Sequence, residues 1–214
     1  MEKIFDLISS EYDFMNNIIS LYTHKIIKKI VIKYAKLTDD MLVLDLFTGT
    51  GDIAGEIKNK HPFITVVGAD NSREMLRIAQ KKYKNIYFLK ENSSNLTFKT
   101  GVFDRVFSTF GLRNSEDKIK SIREIKRVLK KGGLFLHLDF NSKSKISKIY
   151  DKYVLLCAKF FAKNKEAYNY LINSKNSYYT LNELKEIFLK EGFEIELNKN
   201  FLFDVINLQI VRKK

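Results

Sequence analysis

Several residue types are missing or nearly so from this chain of 214 residues: tryptophan is absent, and proline and cysteine occur once each, as Pro62 and Cys157. A single cysteine cannot close an internal bridge, which excludes a disulfide scaffold and fits a reducing compartment. With one proline and nine glycines there is no Pro/Gly/Ser linker, no domain boundary shows, and the length suits one α/β domain. The histidines, His24, His61 and His137, stand far apart, so no metal-ligand cluster is expected. No apolar run approaches the ~20 residues that span a bilayer. Glu2, Asp6, Glu11 and Asp13 open the chain where a secretory signal would be basic and then apolar. The expectation is a cytoplasmic protein, soluble or peripheral at the inner face of the cytoplasmic membrane.

What the chain has in excess is positive charge, formally +13. Residues 141–178 hold eight lysines against Asp151 and Glu166, a net +6. Lys25, Lys28, Lys29, Lys33 and Lys36 make a second patch. Such patches are either solvated surface or sites for an anionic membrane or nucleic acid. Hydrophobic residues at 45% of the chain exclude intrinsic disorder.

Residues 1–40 read as helical, with a break at Tyr12–Asn17 and a core face of Ile26, Ile27, Ile30, Val31 and Tyr34. Strands are expected at 42–46, 63–70, 86–89, 103–109 and 134–140, with helices between these five. The helix over Ile119–Leu129 is expected to end at Gly132-Gly133. Asn71 with Glu74, and Thr180 with Glu183, can form capping boxes. Phe193–Leu197 and Phe203–Val211 complete seven strands. Residues 141–179 form a lysine- and tyrosine-rich helical insertion. In such sheets ligands sit outside the carboxyl ends of the strands, where Asp45, Asp70, Asn92, Thr109 and Asp139 fall.

The organising stretch is Leu42-Val43-Leu44-Asp45-Leu46-Phe47-Thr48-Gly49-Thr50-Gly51-Asp52. A buried strand ends in an acid, turns through two glycines and resumes as a helix whose amides face the turn. Two ligands fit. Gly49-x-Gly51-x-x-Ala54, with Asp70 following at 19 residues, matches a dinucleotide fingerprint. Asp45 opposes a pyrophosphate, however, and would welcome the cationic S-adenosylmethionine.

The stations resemble those of class I S-adenosylmethionine-dependent methyltransferases. Asp45 with Gly49-Thr50-Gly51 looks like the first motif, and Asp70-Asn71 like the acid that holds the ribose. Asn92-Ser93 stands where adenine is gripped, and Arg127-Val128-Leu129-Lys130-Lys131-Gly132-Gly133 precedes strand five. A narrower succession runs through Tyr12-Asp13-x-Met15-Asn16, His24, Phe110-Gly111-Leu112-Arg113-Asn114 and Tyr168-x-Tyr170-Leu171 with Ser174. It resembles the ubiquinone/menaquinone biosynthesis C-methyltransferases. The resemblance implies a Rossmann-like, seven-stranded, mostly parallel sheet with helices on both faces. It implies a helical cap over 1–40, a donor-binding core over 41–140, the insertion, and closing elements over 180–214. The donor would be S-adenosylmethionine, with no metal, and the acceptor a lipophilic quinol such as demethylmenaquinol. Contact with an anionic membrane surface is expected and nucleic acid is not; oligomeric state stays open.

Four departures stand out: Phe47 at a position of small residues, Asp139-Phe140-Asn141-Ser142-Lys143 without its proline, no Pro-x-Gly near Phe160–Asn164, and an altered terminal segment from Asn207. Donor contacts are expected from Asp45, Gly49, Thr50, Gly51, Asp70, Asn71, Asn92, Ser93 and Thr109. Methylating a ring carbon requires a quinol oxyanion to be stabilised and protons removed. Arg113 and Asn114 follow strand four, where the acceptor is expected. A permanently protonated guanidinium suits Arg113 to the oxyanion, and His24 and Asp139 are the base candidates. His137, inside strand five, reads as a core residue.

Overall fold

The computed structural model describes residues 2–141 and 146–214. Five apolar runs form parallel strands, β1 (Leu42–Leu46), β2 (Thr65–Asp70), β3 (Tyr87–Lys90), β4 (Phe103–Thr109) and β5 (Leu129–Phe140). Two more, β6 (Phe193–Phe201) and β7 (Ile206–Lys213), join them in the order β3-β2-β1-β4-β5-β7-β6. β7 runs antiparallel to both neighbours. The order reverses between β1 and β4, which opens a crevice at their carboxyl ends.

On one face of the sheet α3 (Thr23–Tyr34), α4 (Asp52–Lys60) and α5 (Arg73–Lys82) bury Val31, Ile53, Ile57, Leu76 and Ala79. The other face buries Ile122, Ile125 and Val128 of α6 (Lys118–Val128) with Leu184 and Phe188 of α9 (Leu181–Lys190). This is the expected Rossmann-like architecture.

A third apolar cluster closes the crevice. It joins α1 (Glu2–Ile8) and α2 (Tyr12–Ser20) to α7 (Ser147–Phe161) and α8 (Lys165–Asn176) through Ile8, Met15, Val154, Ala158 and Tyr168. Buried Glu11 stitches the cap, accepting the Lys163 amide at 2.9 Å and the Tyr168 hydroxyl at 3.5 Å. The terminal helices and the insertion thus form one lid, although the sequence separates them by more than a hundred residues.

Several local expectations are corrected. Tyr12–Asn17 lies inside α2, and the chain breaks at Leu21 and Tyr22, which take φ of 47° and 63°. Ile26 is 61% exposed and does not join the core. Ser72, and not Asn71, caps α5 by accepting the Met75 amide at 3.2 Å. Residues 91–102 form a loop where a helix was expected, held by Thr97 donating to Glu91. β5 starts at Leu129, opposite Phe103, because Gly132 at φ 76° lets the strand pass through an irregularity rather than end a helix. The Thr180–Glu183 capping box forms as read. Ser142 and Lys143 lie outside the described residues.

Candidate active site

The turn after β1 is built from the inside. Asp45 is 1% exposed and accepts the Thr48 hydroxyl at 2.6 Å and the Ala54 amide at 3.1 Å. Burial pushes its carboxyl up to about 7. Asp45 therefore staples the turn to α4 and lines neither cavity described below, contrary to its expected place beside the donor. Gly51 is structural too: at φ 86°, a Cβ there would meet Phe88, Ala79 and Tyr83 at 3.0–3.1 Å. Phe47 is unusual. It holds φ 62° with a full side chain, a conformation that costs about 1–3 kcal/mol.

Two cavities flank this turn. The first is lined by Asp70, Asn71, Glu91, Asn92, Ser93 and Asn114. Asp70 accepts the Gly49 and Ser72 amides, each at 2.9 Å, and burial raises its carboxyl. Asn92 shapes its own loop by accepting the Ser94 amide at 2.9 Å. Ser93 joins the Ser121 hydroxyl at 2.8 Å. The second cavity is lined by His24, Thr50, Arg113, Tyr150, Tyr168 and Lys175. Tyr12, Phe47, Gly49, Thr109 and Phe110 line both and form the wall between them.

Adjacent in sequence, Arg113 and Asn114 are parted by the short 3-10 turn over Leu112–Asn114. Arg113 faces the second cavity and Asn114 the first. Arg113 donates to Asp139 at 2.7 Å and to the Phe110 carbonyl, and its guanidinium lies 5.1 Å from the Phe140 ring centre. Asp139, 1% exposed, sits behind Arg113 and reaches neither cavity. Its burial corrects the expectation that it meets the acceptor as a base.

His24 does line the second cavity, with Nδ1 2.5 Å from the Ser20 hydroxyl. Burial, with Lys28 adding to it, pulls His24 down to about 4, so the ring is neutral at neutral pH. Thr50 donates to Asp13 at 2.6 Å, and Lys82 joins Asp13 at 2.8 Å and Asp52 at 3.1 Å. The Tyr12-Asp13 motif thereby clamps the glycine turn to α2. His137 is core, as read: it is 1% exposed and bonded to the Tyr178 hydroxyl at 3.0 Å.

Residues 1–213 match the model of the ubiE/COQ5 methyltransferase family. The chain belongs to that family. It is 34% identical to a demethylmenaquinone methyltransferase of Thermotoga maritima, over 93% of this chain and 90% of that protein. It is 36% identical to the ubiquinone/menaquinone biosynthesis C-methyltransferase UbiE of Wigglesworthia glossinidia brevipalpis, over 90% of this chain and 82% of that one. The fold matches an S-adenosylmethionine-dependent methyltransferase of Thermotoga maritima at TM-score 0.74 and 20% identity, covering 99% of both chains.

S-adenosylmethionine is accordingly the methyltransferase's co-substrate, and the first cavity suits it. Asp70 and Glu91 supply carboxylates, and the buried Asn114 Oδ1 has no partner among the described residues. Among the lining residues that sequence reasoning missed are Glu91, Lys175 and Tyr150. Glu91 was visible as an acid at the end of β3. Lys175 continues the inward face of Ala167, Tyr168, Leu171 and Ile172, a placement that the many lysines around it conceal. Tyr150 carried no signal of its own.

Proposed function

We propose that this methyltransferase transfers a methyl group to a ring carbon of a prenylated quinol, demethylmenaquinol, at a membrane surface. The observation that carries the reading is Arg113, a buried cation facing a cavity that shares a wall with the donor cavity. The relatives named above are demethylmenaquinone and ubiquinone/menaquinone methyltransferases, which supports the same acceptor class. S-adenosylmethionine supplies a transferable methyl on its sulfonium. The wall of Tyr12, Phe47, Gly49, Thr109 and Phe110 brings acceptor carbon and methyl together and keeps water out, and reacting atoms need about 3–3.5 Å. Asp70, Asn71, Glu91, Asn92, Ser93 and Asn114 bind the donor. Arg113 holds the quinol oxyanion, which pushes electron density to the ring carbon. Asp139 fixes Arg113 in place. The hydroxyl proton leaves first. The S–CH3 bond then breaks as C–CH3 forms, leaving S-adenosylhomocysteine. Loss of the ring C–H proton restores the aromatic ring while the oxyanion is reprotonated, so one proton is released overall. Neutral His24 is a lining group that can take the hydroxyl proton.

The membrane reading rests on the outside of the lid and on the start of α3. Phe14, Leu21, Ile26, Leu156, Phe160 and Phe161 are each more than half exposed. Lys25, Lys29, Lys148, Lys152 and Lys159 stand exposed among them. Three lysines at an anionic surface would supply about 3 kcal/mol, over a hundredfold in partitioning. On α7, Tyr150 lines the cavity and Tyr153 donates to the Ile18 carbonyl at 3.0 Å. Among the described residues no helix is long and apolar enough to cross a membrane.

Radiolabelled methyl transfer to demethylmenaquinol in liposomes, to a water-soluble catechol and to RNA tests the reading. Transfer to the quinol is expected to exceed the others by orders of magnitude. Transfer to catechol or RNA with none to the quinol would overturn it. Liposome sedimentation tests the docking: binding should fall with salt, and equal binding to neutral and anionic vesicles would count against it.

A further inference from the structure

The face of α8 that packs inward is apolar except at its end. Ala167, Tyr168, Leu171 and Ile172 recur at helical spacing, and the next place on that face is Lys175, only 2% exposed. A lysine so buried needs compensation. Its ammonium bonds to the Ser147 hydroxyl and pairs with Asp151 Oδ1 at 2.6 Å. Those are its polar partners among the described residues, fewer than the three N–H groups an ammonium carries. Besides tying α7 to α8, Lys175 lines the second cavity with Arg113.

The two cations are joined by a row of rings. The Arg113 guanidinium lies 5.1 Å from the centre of Phe140, and Phe140 lies 5.9 Å from Tyr150 with an interplanar angle of 39°. Lys175 Nζ is 5.9 Å from the centre of Tyr150. All four side chains line the same cavity. Two rings with a positive donor beside each, all lining one cavity, suit a flat aromatic acceptor that carries two oxygens. A ring with one oxygen would meet only one of the two cations.

We infer that Lys175 is an acceptor-binding residue that takes the ring oxygen opposite the one held by Arg113, and so selects para-dioxygenated rings. This rests on the quinol reading above. Arg113 acts on the oxygen that gains charge during transfer; Lys175 sets which rings are admitted and how they are turned. Asp151 and Ser147 aim its ammonium.

The test measures ligand preference, which a purely structural lysine would not govern. Calorimetry on the S-adenosylhomocysteine complex, under reducing conditions, compares a para-dihydroxynaphthalene with the matching monohydroxynaphthalene. A charge-assisted hydrogen bond corresponds to a preference of about 10- to 100-fold for the diol in the unsubstituted protein. Lys175→Met combined with Asp151→Asn leaves no lone charge buried, and should shrink that preference to within about threefold. Lys175→Arg should retain it. S-adenosylhomocysteine affinity should be the same in all. Should the double variant fail to fold, Lys175→Gln, which keeps a donor for Ser147, takes its place in the same comparison. A diol preference that survives loss of the ammonium overturns the role of Lys175 and leaves the quinol reading standing. An unsubstituted protein that binds S-adenosylhomocysteine but neither naphthalene compound overturns both.

Discussion

Replacing Arg113 by alanine should separate the two cavities in a single experiment. The side chain is 6% exposed and pairs at 2.7 Å with an Asp139 that is 1% exposed. Removing one partner of such a pair strands the other charge, which costs about 3–5 kcal/mol. For a chain of this length that is roughly 6–20 °C in melting temperature, a large share of the ~5–15 kcal/mol that holds a domain folded. The informative variant is therefore Arg113→Ala with Asp139→Asn, which removes both charges and should recover much of that loss. Its turnover on quinol should fall by about 10²–10³, the cost of one oxyanion donor. Its affinity for S-adenosylhomocysteine should stay within a few-fold, since Arg113 faces the acceptor side only. Single-turnover assays and calorimetry on the folded double variant give both numbers. Near-normal turnover would refute the oxyanion role, and a matching loss of S-adenosylhomocysteine binding would refute the division into donor and acceptor cavities.

Asp70→Ala should weaken S-adenosylhomocysteine binding by about one to two orders of magnitude, at ~1.5–3 kcal/mol per charge-assisted hydrogen bond; unchanged calorimetry would remove Asp70 from the donor site. Gly111→Ala should cost about 1–3 kcal/mol, because its Cβ would fall 2.2 Å from the Phe47 Cβ. In a Phe47→Gly background the same change should be close to neutral, so additive losses in urea melts would disprove the clash. Burial lowers His137 to about 4, so the unfolded chain binds a proton that the folded chain refuses. Stability is complete above the ordinary histidine range and is lost as pH falls from about 6.5 toward about 4. His137→Gln should therefore lose roughly 2–3 kcal/mol less than the parent between about pH 7.5 and about pH 4.5. Asp45, raised by burial, slopes the other way equally in both proteins; identical acid slopes would show that His137 is not the group responsible.

The parts of this fold legible in the sequence are those written by local patterns. Apolar runs gave the strands, the Thr180–Glu183 pair gave its cap, and the spaced glycines after Asp45 gave the turn. What sequence could not show was direction at fine scale. Arg113 and Asn114 are neighbours in the chain and serve opposite cavities, because one short 3-10 turn rotates them apart. Asp139 and Asp45 were visible as acids at strand ends, where ligands bind. Yet one oxygen of Asp139 is held by Arg113, one oxygen of Asp45 is held by Thr48 and Ala54, and neither residue lines a cavity. An acid's position on a strand says nothing of which protein donors will reach it first. Lys175 was hidden for the opposite reason: in a lysine-rich insertion, one buried lysine resembles its solvated neighbours until α7 is packed against it.

The contact between positions 47 and 111 restricts how this chain can change over generations. Phe47 occupies a left-handed backbone well that a glycine would fill without strain, and its ring is part of the wall between the cavities. Gly111 has no room for a methyl because that ring's own Cβ and Cγ stand in the way, at 2.2 and 2.5 Å. One of the two sites can carry a side chain at a time. A lineage moving the bulk from 47 to 111 must first pass through glycine at both. That intermediate would be relaxed in its backbone and well folded, yet it would have removed part of the partition that separates methyl donor from acceptor. Selection for stability and selection for a sealed reaction chamber pull in opposite directions at this pair, and the strained phenylalanine records which of them prevailed.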